Sequence, residues 1–251
     1  MSTEVTMRIW RGDKTGGQFR EYAVPVEEGE VVLDVIHRLQ ATHARDLACR
    51  WNCKAGKCGS CSAEVNGKPR LMCMTRMNLF APGETISVAP IRTFPLIRDL
   101  VTDVSYNYEK AKQVPPLRLK PPEADGTYRM MQEDIDRIQE FHKCIECFLC
   151  QDVCHVIRDH DLKKSFAGPR FFIKIAGLAM HPLDTRERTE FARGEAGIGL
   201  CNITKCCTEV CPEHIHITDN GIIPMKERMA DDVDPIVWLL RKFRGQKKQP
   251  A

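Results

Sequence analysis

No uninterrupted apolar stretch in these 251 residues approaches the roughly 18 residues a membrane-spanning helix needs, so the chain is not expected to cross a bilayer by itself. The start, Met1-Ser2-Thr3-Glu4, lacks the apolar core of a signal peptide, and the cytoplasmic side is the expected compartment. Net charge is scarce too. Lys and Arg number 37 against 34 Asp and Glu, a formal +3 with a pI near 8.2, too mild a balance for a nucleic-acid binder. The basic run Arg241, Lys242, Arg244, Lys247 and Lys248 is confined to the end and reads as a solvated tail. There is no low-complexity segment and no glycine-rich nucleotide loop, which leaves no evident place for hydride chemistry. With 43% hydrophobic and 28% charged residues, the composition is that of an ordinary globular protein.

What the chain does have is thirteen cysteines. A reducing cytosol does not maintain so many structural disulfides, so thiols in this number are expected to hold metal.

Residues 5–10 and 21–26 alternate apolar and polar side chains around Gly12, Gly16 and Gly17, which predicts a hairpin, and residues 32–39 have helical spacing. A second hairpin is expected from residues 61–65, the Asn66-Gly67 turn and residues 71–74, with one more strand at 85–89. Together these describe a small mixed sheet packed on a helix. Pro115, Pro116, Pro121 and Pro122, set among charges, disfavour helix and sheet alike and mark a linker. Beyond it the signals turn helical: Met131, Ile135 and Ile138 at spacings of four and three, Pro169 at a helix start, and Ile236, Val237 and Leu240 in the last segment. The expected division is residues 1–105, a linker at 106–127, and a helical domain at 128–251.

Cys53, Cys58, Cys61 and Cys73 give C-x4-C-x2-C and a distant fourth cysteine, the plant-type 2Fe-2S spacing. A loop carrying Gly56 and Gly59 can fold tightly around a compact anionic cluster and aim backbone N–H groups at its sulfurs. A zinc site would more often show paired C-x2-C knuckles. Cys144, Cys147, Cys150 and Cys154 reproduce the C-x2-C-x2-C-x3-C run of bacterial two-cluster ferredoxins, in which the fourth cysteine ligates the other cluster. The partner run is Cys201, Cys207 and Cys211-Pro212, with Thr204 standing where a middle ligand would be. With the swap applied, Cys144, Cys147, Cys150 and Cys211 form a 4Fe-4S set, while Cys154, Cys201 and Cys207 leave three thiolates, suited to 3Fe-4S. Cys49 reads as a small buried hydrophobe. Cys206 adjoins Cys207 and is the alternative ligand in its place, but only Cys207 keeps the x3 spacing to Cys211, so Cys206 is left over. His142, His155, His214 and His216 show no paired spacing that asks for another metal.

The order plant-type, 4Fe-4S, 3Fe-4S resembles the iron-sulfur subunit of succinate dehydrogenase and fumarate reductase. The resemblance covers nearly the whole chain. It rests on Arg-Trp-Asn-Cys-Lys-Ala-Gly-Lys-Cys-Gly-Ser-Cys at 50–61, Phe-Pro-Leu-Ile-Arg-Asp-Leu at 94–100, Cys144-Ile145-Glu146-Cys147 and Val210-Cys211-Pro212. It implies an α+β chain: an N-terminal plant-type ferredoxin (β-grasp) domain and a C-terminal all-helical domain resembling bacterial two-cluster ferredoxins. It also implies a role in the tricarboxylic acid cycle, passing electrons from the FAD of a flavoprotein subunit to a quinone. The chain would sit peripherally on the cytoplasmic face of the cell membrane, held by an anchor subunit, with no catalytic residue of its own. Ubiquinone-reducing relatives carry Pro-Ser-Phe-Trp-Trp after the cysteine matching Cys154 and His after the one matching Cys201. Here His155-Val156-Ile157-Arg158-Asp159 and Asn202 stand instead, so a menaquinone-type partner becomes plausible, with His155, Arg158 and Asn202 in the quinone vicinity. The alternatives are the fumarate-reducing direction and an iron-sulfur adaptor of another flavin oxidoreductase.

Overall fold

The computed structural model describes residues 3–235 and Leu239. They fall into two compact units that do not follow chain order. Residues 145–153 and 210–213 join the first unit with residues 3–106, whereas 107–144, 154–209 and the described residues from 214 onward make the second. The expected division at 106–127 is therefore crossed twice, because short cysteine-bearing segments of the second half pack into the first unit.

The first unit is a seven-stranded mixed sheet covered by a helix. Strands β1 (Thr3–Asp13) and β2 (Gly16–Val26) pair antiparallel along their full length, longer than the alternation alone suggested. The glycines permit this at the turn, where a Cβ on Gly17 would stand 2.5 Å from the Arg11 carbonyl oxygen. Helix α1 (Val32–Thr42) turns Val32, Leu33, Val35, Ile36 and Leu39 onto Met7, Ile9, Val24 and Val26. Burial of each such side chain contributes roughly 1.5–3 kcal/mol.

The second hairpin is β3 (Ser62–Val65) and β4 (Lys68–Leu71), so the returning strand starts three residues earlier than expected. Asn66 and Gly67 both have positive φ, at 47° and 71°, and this two-residue turn re-enters pairing at once. Pro69 is tolerated because β4 lies at the end of the sheet order β4-β3-β5-β1-β6-β7. Strand β5 (Ile86–Ala89) runs parallel to β1, as a chain returning through α1 allows. The short β6 (Leu96–Arg98) and β7 (Val101–Thr102) carry no alternation and were not expected. Their turn is held by buried Asp99, whose carboxylate accepts the N–H groups of Gly12 at 3.0 Å and Ala48 at 2.9 Å and the Arg11 guanidinium at 3.2 Å.

The second unit is helical. Helix α2 (Ser105–Gln113) occupies the front of the expected linker, and residues 114–131 then contain neither helix nor strand. Helix α3 (Gln132–Gln139) buries Ile138 but leaves Met131, at its N-cap, exposed. After it come α4 (Leu149–Asp152), which belongs to the first unit, α5 (His155–Arg158), α6 (Pro169–Ala179), α7 (Thr189–Arg193), α8 (Cys206–Glu209) and α9 (Ile223–Val233). Pro169 stands in the first turn of α6, where its missing N–H has no partner to lose. Phe166, Phe171, Phe172, Ile175, Ile198 and Met225 are buried in this unit. Ile236, Val237, Leu240 and the terminal basic run lie outside the described residues.

Candidate metal centres

The loop from Cys53 to Cys61 is shaped by backbone conformation before any side chain acts. Lys54, Gly56 and Gly59 have φ of 55°, 67° and 66°. Each positive φ turns an N–H inward, and successive inward N–H groups make a concavity for an anion. The N–H groups of Ala55 and Lys57 donate to Cys53 Sγ at 3.4 and 3.3 Å, and that of Cys53 to Cys58 Sγ at 3.5 Å. Burial acts against ionisation of Cys58, but N–H donation from Cys53 and the N–H and hydroxyl of Ser60 prevail and bring it down to about 6. Cys73 reaches the same place from the turn after β4, its N–H donating to Cys61 Sγ at 3.5 Å. Cys61, buried and beside Cys73 and Cys58, is pushed up to about 12, chiefly by burial. The loop is anchored on α1 through Trp51, whose ring packs edge-on to His37 at 4.8 Å with Lys54 Nζ 5.0 Å above it.

Cys147, Cys150 and Cys211 also belong to the first unit, while Cys144, expected with them, belongs to the second. Glu146 and Phe148 repeat the left-handed backbone, at φ 55° and 62°, with Phe148 directly preceding α4. The two cysteine segments of this unit touch. Ser62 Oγ donates to the carbonyl oxygens of Gly59 at 2.9 Å and Cys147 at 2.8 Å. Lys57 Nζ pairs with Glu213, two residues beyond Cys211, at 3.1 Å.

Cys154, Cys201 and Cys207 lie in the second unit. Cys154 is buried and pushed up to about 11, first by burial and then by the charges of Cys206 and Cys201. Cys207, also buried, is pushed up to about 12 by burial, with Cys206, Cys201 and Cys154 adding and a 3.4 Å contact to Thr218 Oγ1 opposing. Four thiols thus share one neighbourhood, because Cys206 joins the three expected ligands. Thr204 Oγ1 lies 3.3 Å from Cys206 Sγ. Ile203 and Lys205 take φ of 62° and 63°; for a β-branched residue that is a true outlier, costing roughly 1–3 kcal/mol.

A buried thiolate is costly without a positive partner, and iron supplies one. Together, buried sulfurs and inward N–H groups suit anionic iron-sulfur clusters. Among the described residues no three His, Cys, Asp or Glu side chains converge on a single ion. The non-glycine left-handed residues Lys54, Glu146, Phe148, Ile203 and Lys205 were not anticipated, and apart from their place between cysteines nothing in their identities announces them. Cys49 is half-buried against the sheet core, its thiol pushed up to about 12 by burial.

Of the expected quinone-side residues, His155 opens α5 directly after Cys154 and is half-buried, as is Arg158, which pairs with Asp159 at 3.0 Å. Asn202 is exposed beside Cys201.

Comparison with known proteins places two family models on the chain: a 2Fe-2S iron-sulfur cluster binding domain at residues 6–109 and a 4Fe-4S dicluster domain at 140–215. The chain is 33% identical over 205 residues to the fumarate reductase iron-sulfur subunit of Mycobacterium tuberculosis, 78% of this chain and 80% of that one. It is 28% identical over 212 residues to the corresponding subunit of Haemophilus influenzae, 77% and 80% of the two chains. A chain of the solved apo Sdh1 complex of Mycobacterium smegmatis is 65% identical, with a TM-score of 0.91 over 94% of this chain and 100% of its own length.

Proposed function

Because the chain belongs to the family of iron-sulfur subunits of succinate dehydrogenase and fumarate reductase, we propose that it carries electrons from the FAD of a flavoprotein subunit to a membrane quinone. Its centres are 2Fe-2S on Cys53, Cys58, Cys61 and Cys73, 4Fe-4S on Cys144, Cys147, Cys150 and Cys211, and 3Fe-4S on Cys154, Cys201 and Cys207. Bound, these clusters supply one-electron steps that divide the two-electron oxidation of succinate. The chain's own residues hold the sulfurs, aim N–H groups at them and set the spacing of the runs. The observation that carries the reading is the contact between the first two runs, with Ser62 bridging Gly59 and Cys147 at 2.9 and 2.8 Å. Centres held on touching segments exchange electrons without a mobile carrier.

The complex operates at the cytoplasmic face of the membrane, held by an anchor subunit. His155, Arg158 and Asn202 line the approach to the quinone, and the polar Arg158-Asp159 pair in place of aromatic residues favours a naphthoquinone. Fumarate reduction by the same path is the second reading, favoured by the names of the Mycobacterium tuberculosis and Haemophilus influenzae relatives.

Purification through a tag on this chain in mild detergent, followed by succinate-to-quinone assays, tests the reading. A co-purifying flavoprotein and faster turnover with menaquinone than with ubiquinone analogues are expected. Absence of a flavoprotein contradicts the function, and the reverse preference contradicts the quinone assignment.

A further inference from the structure

The third site has one thiol more than a three-iron cluster uses. Thr204 occupies the sequence position of a missing middle ligand, and a sulfur stands beside it: Cys206 Sγ lies 3.3 Å from Thr204 Oγ1. Cys206 also directly precedes the expected ligand Cys207 at the start of α8. It differs from Cys154 and Cys207 in access. Both of those are buried, whereas Cys206 is half-exposed and opens α8 beside the exposed Thr204 and Lys205. Ile203 and Lys205, which lead into this pair of adjacent cysteines, both take left-handed backbone.

We propose that Cys206 is a reserve fourth ligand, which binds when the third cluster takes up a ferrous ion and becomes a four-iron cluster. This rests on the assignment of Cys154, Cys201 and Cys207 to a 3Fe-4S cluster. The step balances without an outside oxidant or reductant beyond those the complex already uses. Electrons from the dehydrogenase reaction bring the three-iron core to its neutral, one-electron-reduced state. A ferrous ion, with two positive charges, would then join it to give a doubly positive four-iron core held by Cys154, Cys201, Cys207 and Cys206. The Cys206 thiol releases its proton to water and forms the new iron-sulfur bond. A one-electron oxidant reverses it, as the triply positive core expels ferrous iron, the oxidised three-iron core remains and Cys206 regains a proton. Thr204 cannot take this part, because a hydroxyl at neutral pH is a poor ligand for iron. A ligand change of this kind alters cluster type and net charge, two of the main controls on potential, so iron supply would set how readily the last centre passes electrons on.

The test uses the intact complex. Anaerobic, reduced samples are given excess ferrous ion, freed of unbound iron, and compared with untreated ones by native mass spectrometry and by paramagnetic resonance after a reoxidation that returns a neutral three-iron core to its oxidised state but leaves a doubly positive four-iron core intact. In the wild type the oxidised three-iron signal should fall by more than half with a gain of one iron, while Cys206→Ala keeps the signal and the iron count. Cys206→Ser serves as a second, nearly isosteric variant. If the signal survives iron treatment in the wild type, or is lost equally in both variants, the proposal is overturned while the three-iron assignment stands. Absence of any three-iron signal in untreated wild type and in Cys206→Ala alike would instead overturn the assignment beneath it.

Discussion

Gly59 makes room for Cys147: a Cβ on Gly59 would stand 2.5 Å from the Cys147 Cα and 2.8 Å from its nitrogen, both inside any tolerable contact. Gly59→Ala must therefore pry the two cysteine segments apart, besides adopting φ 66° at about 1–2 kcal/mol. Gly67→Ala provides the control, since Gly67 has φ 71° but nothing within 4 Å of its built Cβ. Both variants should lose thermal stability, and only Gly59→Ala should slow reduction of the second cluster by the first in rapid-freeze kinetics. Indistinguishable kinetics would mean that the contact does not set the transfer step.

Arg188 has no exposed side-chain surface, and its guanidinium pairs with equally hidden Asp184 at 2.7 Å. It also donates to the carbonyl oxygens of Pro115 at 3.0 Å and Pro116 at 2.8 Å. Residues 114–131 lack regular structure, so this one side chain satisfies backbone groups that no helix or strand satisfies. Removing it leaves the buried Asp184 carboxylate, among the described residues, with no cation and only the N–H groups of Arg118 and Arg186, and breaking a buried pair in this way typically costs roughly 3–5 kcal/mol. Arg188→Ala should lower the unfolding midpoint strongly, and Arg188→Lys should recover little because the planar fork is lost. Near-complete recovery by lysine would show that charge alone suffices.

Much of this fold can be read from the residues, and the exceptions have causes. Hairpin and helix periodicities locate β1, β2 and α1 because each buries one face. The short β6 and β7 escape, since they are organised by the distant carboxylate of Asp99 and not by alternation. Cysteine spacing proposes three ligand sets, and the thiols of the first and third are neighbours in the structure. What spacing does not reveal is that residues 145–153 and 210–213 pack with the first unit. Nor does it reveal the left-handed backbone at Phe148 or Ile203, which local preference opposes and which only surrounding structure can impose.

Asp152, at the end of α4, accepts the Thr93 N–H at 3.1 Å, but its other carboxyl oxygen is buried without a donor among the described residues. Burial, and then the neighbouring Glu64 charge, raise it from 3.8 to about 6. The folded state therefore holds a proton that the unfolded chain has released between those values. Its stabilising effect is complete below about pH 4 and is lost as pH rises through about 6. Asp152→Asn keeps the acceptor, offers Glu64 a donor and removes the titration. The variant should gain up to about 3 kcal/mol over wild type at pH 7.5 and only about 1 kcal/mol at pH 4.5 in paired thermal scans. An equal gain at both pH values would contradict the assignment of the shift to Asp152.

The most direct test of the central claim is the iron content of the anaerobically purified complex, measured with its paramagnetic spectra in oxidised and reduced states. Ligand sets of four, four and three cysteines predict two-, four- and three-iron clusters, hence about nine irons per chain and three magnetically distinct centres. The 2Fe-2S signal should vanish in Cys58→Ser and the oxidised three-iron signal in Cys207→Ser, each leaving the other intact. Fewer than about seven irons, or a Cys207→Ser variant that retains the three-iron signal, would contradict the account.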